Sequence, residues 1–185
     1  MNPRLGGHDD PMALALCLLF DTEGDRTIRR LWQNLAAHGV TTPLTHTHGR
    51  HRPHLSIAVL RSWDLDAVRD ALVRLPAGEP VPLHFQGVLA FPRGRISLAT
   101  AVGADVARRQ EAAAQALLAT GAELHKYYLP GRWIPHVSVV TRGNAQLLPE
   151  IAVMLMDVLP IAVDASTAAL IDSSTGQAWP LPTLP

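Results

Sequence analysis

Two short stretches of this chain repeat one another: "RPHLSIAV", Arg52 to Val59, and "IPHVSVVT", Ile134 to Thr141. Each runs proline, histidine, an apolar residue, serine and then at least two apolar residues, which is a strand pattern. Side chains alternate along a strand, so His54 and Ser56 share one face while Leu55 and Ile57 take the other. The same alternation sets His136 and Ser138 against Val137 and Val139. The histidines are 82 positions apart, and the helices predicted after them open at Asp64 and Asn144, 80 apart. Only two copies exist, so the pattern is a duplicated unit rather than a solenoid. Two such units packed side by side place corresponding strands on opposite walls of a shared cleft.

The remaining segments fit two copies. Met12 to Phe20 is a continuous apolar run suited to a central strand. Asp25 or Thr27 then caps a helix carrying Ile28, Leu31, Trp32 and Leu35 at helical spacing and ending at Gly39. Residues 40–52 read as a polar loop, His54 to Leu60 as a strand, and Asp64 as the cap of a helix stopped by Pro76. Leu83 to Phe91 closes the first unit. The second repeats the order: a strand over Arg95–Val102, a helix over Asp105–Thr120, and a loop with Tyr127, Tyr128 and Pro130. The strand His136–Thr141, a helix from Asn144 to Pro160, and strands within 161–172 complete it. The fold class expected is α/β (α+β): bilobed and pseudo-two-fold, with two antiparallel sheets flanked by helices around a central cleft. The lobes take about 12–91 and 95–172 of a single domain over 12–172. Residues 1–11 are expected to be a flexible lead-in and 173–185 a proline-rich tail.

Composition removes several classes. An apolar fraction of 48% against 17% charged residues describes a chain that buries a core, not a disordered one. Zero net charge and a pI near 7.1 lack the global basicity of a protein that coats duplex nucleic acid. The apolar run at 12–20 is too short to span a bilayer. Acidic residues flank it and no small-residue cleavage site follows, so it is not a signal-peptide core and the expected location is cytoplasmic. The one cysteine, Cys17, excludes an intramolecular disulfide and reads as a small buried residue.

Each lobe therefore offers one imidazole and one hydroxyl to the cleft. Two imidazoles with pKa near ~6.5 can divide at neutral pH into a base and an acid. Two hydroxyls can donate hydrogen bonds to phosphate oxygens. This set suits in-line displacement at a phosphodiester, one group taking a proton from the attacking oxygen and the other giving one to the leaving oxygen. A single His-x-Ser/Thr match arises by chance about once in such a chain. Two copies, each after proline and at the same point of a repeated unit, do not.

"PHLSIAV" and "PHVSVVT" resemble the paired His-x-Thr/Ser motifs of the two-histidine (2H) phosphoesterase superfamily, and within it the bacterial 2′-5′ RNA ligase-like, RNA cyclic phosphodiesterase branch. The resemblance spans about residues 12–172 and includes the turn "FPRGRISL" and the aromatic Trp133 three places before the second motif. It implies a bilobed α/β fold with the active site between antiparallel sheets. It also implies metal-free, cofactor-free opening of 2′,3′-cyclic phosphates to 2′-phosphates, with reversible 2′-5′ joining in some members. The substrate implied is an RNA terminus or small cyclic nucleotide, with no membrane or obligate protein partner. His54 and His136 would be the acid/base pair and Ser56 and Ser138 the phosphate holders. Relatives often carry threonine at the serine positions; serine keeps the hydroxyl.

Other residues are weaker candidates. Arg142 continues the parity of His136 and Ser138. Phe91, Tyr127 and Tyr128 are candidate stacking residues, whereas Trp133, on the opposite parity, reads as core and Arg93 and Arg95 as solvated surface. The main rival is "THTHGRH": His46, His48 and His51 have ligand-like spacing, and the run resembles the His-x-His-x-Asp-His metal motif of metallo-β-lactamase-type hydrolases. Arg50, however, stands where that pattern needs aspartate, and a solvated loop is the expectation. A non-catalytic RNA-binding module of this fold and a phosphodiesterase for ADP-ribose cyclic phosphate are the other readings.

Overall fold

The computed structural model describes residues 13–185; the expected lead-in, 1–11, lies outside them. Strand β1 (Leu14–Phe20) is buried along its whole length, as its unbroken apolar run requires of a strand with neighbours on both edges and both faces. Helix α1 (Thr22–Ala37) starts earlier than expected, because Asp21 rather than Asp25 or Thr27 is its cap and accepts a 2.7 Å bond from the Gly24 amide. Gly24 makes this start possible. A Cβ there would lie 2.8 Å from both the Asp21 carboxylate and the Val163 side chain.

The chain continues through β2 (His54–Ser62), α2 (Leu65–Val73) and β3 (Val81–Phe91). Asp64 caps α2 as expected, accepting from the Ala67 amide at 2.9 Å. A tight turn at Pro92–Gly94 leads into β4 (Arg95–Ala101), α3 (Ala104–Ala119), a two-residue β5 (Glu123–Leu124) that the pattern does not foretell, and β6 (His136–Val140). The helix expected from Asn144 begins at Leu148 (α4, Leu148–Met156). Asn144 instead accepts from the Gln146 amide, shaping a 3₁₀ turn over Ala145–Leu147. Pro149, which has no N–H to donate, fits in the first turn of α4. Strands β7 (Ile161–Asp172) and β8 (Ala178–Pro180) follow. The proline-rich segment is tied down by β8 on β7, by the Gly78–Leu184 bridge and by burial of Leu184.

Every strand pairing is antiparallel, in the order β5-β2-β1-β7-β3-β4-β6. The two expected sheets are joined only because β7 changes partner along its length: Ile161–Ala165 pairs with β3, and Ala165–Asp172 with β1. The last strand of each repeated unit thus crosses to the other half, β3 joining β4 and β7 joining β1. This exchange relates the halves by pseudo-two-fold symmetry. The sheet curls until β2 and β6, far apart in its order, lie against each other without a ladder between them.

The helices cover one face. Leu14, Leu16, Leu18, Phe20, Leu55, Ile57, Val137 and Val139 meet Ile28, Trp32, Leu35 and Leu117 there in one continuous core. The opposite, concave face carries only a small apolar cluster, Ala15, Cys17, Leu19 and Ala169. The alternation read from the sequence thus holds, and the polar motif residues belong to the concave side. Among the described residues no helix is long and apolar enough to cross a membrane.

Candidate active site

His54 and His136 occupy the same place in their halves: each is the first residue of its motif strand and each is partly buried. His54 sits opposite Leu19 of β1, and His136 opposite Ala99 of β4. The local hydrogen bonding is also duplicated. Nδ1 of His54 lies 2.6 Å from the Arg52 carbonyl, and Nδ1 of His136 lies 2.7 Å from the Ile134 carbonyl. A carbonyl only accepts, so each Nδ1 carries a proton and donates it. The neutral ring then has its free lone pair on Nε2, the atom left to exchange a proton.

Burial lowers the pKa of both rings from the usual 6.5. At His54 the carbonyl bond opposes this and the Arg52 charge adds to it. At His136 the carbonyl bond again opposes it, while the charges of His54 and Arg95 lower it further. The two imidazoles are therefore close enough to feel one another. Phe91 packs on His136 with ring centroids 5.1 Å apart, consistent with the desolvation of that ring.

The serines repeat the symmetry one step along. Ser56 pairs with Cys17 and Ser138 with Ser97. The Ser56 hydroxyl lies 3.8 Å from the Cys17 sulfur. Burial pushes that thiol up to about 12, so it stays protonated and is a wall, not a nucleophile. Tyr128 reaches the same spot: burial and then Cys17 push its hydroxyl up to about 12, against the pull of Ser56 and Arg95.

The motif strands are held together by side chains from distant parts of the chain. The Trp133 indole N–H donates to the Ser56 carbonyl at 2.9 Å, and the Trp32 indole N–H donates to the Ser138 carbonyl at 3.0 Å. These carbonyls lie on strand edges that no neighbouring strand fills, since β6 pairs only with β4 and β2 meets β5 only at Leu60 and Ser62. Each half also reaches across with a helix. Trp32 on α1 bonds the second motif strand, while buried Gln110 on α3 donates to Ile57 of the first at 3.1 Å and to the Tyr128 carbonyl at 3.0 Å. Ile57 is the extra residue of a β-bulge, for Leu16 pairs with Ala58 and Cys17 with Ser56. Gln110 satisfies the carbonyl that the bulge frees.

The structure brings His54, Ser56, His136, Phe91 and Tyr128 together, with Ser138 exposed beside them on β6. It does not carry Arg142 in on the same strand. A second bulge, at Val139, sets Val140 opposite core residue Ile96, which breaks the parity, and Arg142 lies beyond β6 in a bridge to Thr41 with its side chain exposed. The cation that faces His136 is Arg95, which the sequence pattern reads as solvated surface. Its signal is the alternation Arg95, Ser97, Ala99 along β4, opposite the motif strand. The roles of Trp32 and Trp133 have no local signal, because their partners are 106 and 77 positions away.

His46, His48 and His51 do not converge on a point. Their rings pack on one another, His48 tilted at 33° against His51 with centroids 4.2 Å apart and His46 stacked on His51 at 5.9 Å. His51 Nε2 is 2.8 Å from the Thr47 hydroxyl and His48 Nδ1 accepts from the Arg50 amide. Among the described residues no group of three His, Cys, Asp or Glu is arranged to hold a metal ion.

A profile of the 2′-5′ RNA ligase superfamily matches residues 8–177. Solved structures of the same fold include one described as a phosphoesterase, with a TM-score of 0.59 at 12% identity, covering 95% of this chain and 97% of that one. LigT of E. coli, solved with NADP+, has a TM-score of 0.59 at 10% identity over 94% and 96% of the two chains. Usb1 of Kluyveromyces marxianus has a TM-score of 0.53 at 12% identity over 93% and 98%. No curated protein sequence matches significantly. With the profile spanning nearly the whole sequence and the paired histidine strands facing one another, the chain belongs to the 2′-5′ RNA ligase superfamily, the 2H phosphoesterases.

Proposed function

We propose that this protein is a metal-independent phosphodiesterase that opens 2′,3′-cyclic phosphates of RNA ends or nucleotides, with His54 and His136 as its acid/base pair. The observation that carries this reading is the duplicated histidine geometry: each Nδ1 donates to the carbonyl two residues before it, which leaves each Nε2 free. In the reaction, the neutral Nε2 of one histidine takes a proton from water as its oxygen attacks phosphorus. The other histidine, protonated, gives its Nε2 proton to the departing 3′-oxygen. The P–O3′ bond breaks, the new P–O bond forms, and a 2′-phosphate with a free 3′-hydroxyl results. Ser56 and Ser138 donate to the non-bridging oxygens, and Phe91 and Tyr128 line the nucleoside side.

Lowered histidine pKa values fit this role. An empty site favours neutral rings, and a bound phosphodiester anion raises the pKa of whichever ring must carry the proton. Attack of a 5′-hydroxyl, in place of water, on the same 2′,3′-cyclic phosphate breaks the P–O3′ bond and leaves a 2′-5′ linkage with a free 3′-hydroxyl, so a slow, reversible 2′-5′ ligase activity belongs to the proposal. The test is turnover of 2′,3′-cyclic mononucleotides by tag-free protein in the presence of a chelator, with the product phosphate position assigned. His54→Ala and His136→Ala should each abolish turnover while the fold survives. Full activity in either variant, or loss of activity in chelator, overturns the reading.

A further inference from the structure

The loop that follows β5 lays a small aromatic and cationic platform against the outer edge of the first motif strand. The His125 amide donates to the Val59 carbonyl at 2.7 Å, fixing the loop three residues along β2 from Ser56. The His125 ring lies 5.2 Å from the Tyr127 ring and 6.2 Å from the Tyr128 ring. Lys126, the only lysine in the chain, sits with its ammonium 5.0 Å over the Tyr127 ring. Tyr127 is 59% exposed, so its ring is open to a ligand from solvent.

Cations from both halves converge on this platform. Arg61 is exposed and is the unpaired residue where β2 meets β5, between Leu60 opposite Leu124 and Ser62 opposite Glu123, beside the start of this loop. Arg95 shares the face of Ser97 and Ala99 on β4. Arg61, Lys126 and Arg95 all lie close enough to His125 to lower its pKa beyond the effect of its burial. Arg95 also bears on His136 and on Tyr128. The platform is therefore continuous with the candidate site through one arginine and one tyrosine. The chain as a whole has no net charge, so this local excess of positive charge is not a reflection of overall composition. Glu123, on β5, is the nearest acidic residue in sequence.

We propose that Arg61, Lys126, Tyr127 and His125 form a track for single-stranded RNA, so that the preferred substrate is an oligonucleotide carrying the cyclic phosphate at its end rather than a free nucleotide. This rests on the reading above for the chemistry at the terminus, but the track makes its own contacts. Exposed aromatic rings stack bases without regard to sequence, and flanking cations follow the phosphates. A mononucleotide reaches only the histidine pair, whereas an RNA strand reaches both.

The experiment uses the full-length protein and a triple variant, Arg61→Gln, Lys126→Gln, Tyr127→Ala, all exposed positions outside the catalytic set. The probe is a fluorescein-labelled RNA decamer ending in a linear 3′-phosphate, followed by anisotropy across a salt series. Loss of one stacked base and two cations should weaken binding about tenfold or more. The slope of log affinity against log salt should become shallower by about 1.4, at ~0.7 for each single-strand phosphate that is no longer neutralised. Turnover of a 2′,3′-cyclic mononucleotide should stay within about twofold of wild type. Equal decamer affinity for the two proteins, or an equal loss in decamer binding and mononucleotide turnover, overturns the track. If the wild type turns over no cyclic nucleotide yet binds the decamer through these residues, the track stands and the catalytic reading falls.

Discussion

Replacing Trp133 by Phe keeps a ring of similar burial and removes one hydrogen-bond donor, the indole N–H that reaches the Ser56 carbonyl at 2.9 Å. That carbonyl has no strand neighbour, because β2 meets β5 only farther along. Leaving a partly buried acceptor unpaired costs about 1–3 kcal/mol. For a domain of 185 residues, a loss of 1 kcal/mol lowers Tm by roughly 2–4 °C, so thermal unfolding should shift down by about 2–12 °C. The larger effect is expected in catalysis. Trp133 precedes His136 by three residues and bonds the strand of His54, so it links the two histidines across a seam that has no β-ladder. A seam looser by about 1 Å costs up to roughly 10²-fold in rate. Turnover of a cyclic mononucleotide should therefore fall by about ten- to a hundredfold in kcat with KM little changed. Trp32→Phe, which frees the Ser138 carbonyl, should show the same split. A Tm that falls while kcat holds would refute the argument, since the bond would then support the fold without registering the two histidines.

Four other outcomes follow from the same geometry. Because both histidines have lowered pKa values in the empty site, the bell-shaped profile of kcat/KM should peak below about pH 6.5, with the kcat profile displaced to higher pH by the bound phosphate; a kcat/KM optimum above pH 8 would contradict the assignment. Ser56→Ala and Ser138→Ala should each raise the activation barrier by about 1–3 kcal/mol, the loss of one hydrogen bond to a charged group, measured as kcat/KM. Gly94→Ala should destabilise by more than about 1 kcal/mol in denaturant unfolding, because Gly94 sits at φ +68° and a Cβ would run into the Gly143 carbonyl. His51 is lowered to about 4, mainly by burial and then by His48, His54 and His46. Its folded pKa lies below the unfolded value of 6.5, so the stability it contributes is intact above 6.5 and is lost as pH falls towards 4; in His51→Asn the pH dependence of Tm over that window should flatten.

How far the fold can be read from residues alone depends on the range of the interaction involved. The Asp64 cap, the alternation of β2 and β6, and the two-unit order all arise within a few residues of chain. The pattern places the start of α1 late because Asp21 closes the preceding apolar run, and its capping bond depends on Gly24 packing against Val163, well over a hundred positions away. Simple alternation draws Arg142 towards the site, and a bulge at Val139 breaks that alternation. Nothing within β6 encodes the bulge; it arises from the match to β4. Exposure is the natural reading for an arginine after a turn, and only the pairing with Phe91 and proximity to His136 show where Arg95 faces.

That two strands each present a histidine and a serine on one face, and that the same order of elements occurs twice, follows from period-two alternation and helix capping, which act over a few residues of chain. Contacts between distant parts of the chain are what send β3 and β7 into opposite halves, close β2 and β6 against each other without pairing, and let Trp32, Trp133 and Gln110 satisfy the carbonyls left open there. Those partners lie 106, 77 and 53 positions apart. An unfilled strand edge must find donors wherever the folded chain brings them, and here those donors reach the two motif strands from elements of both halves.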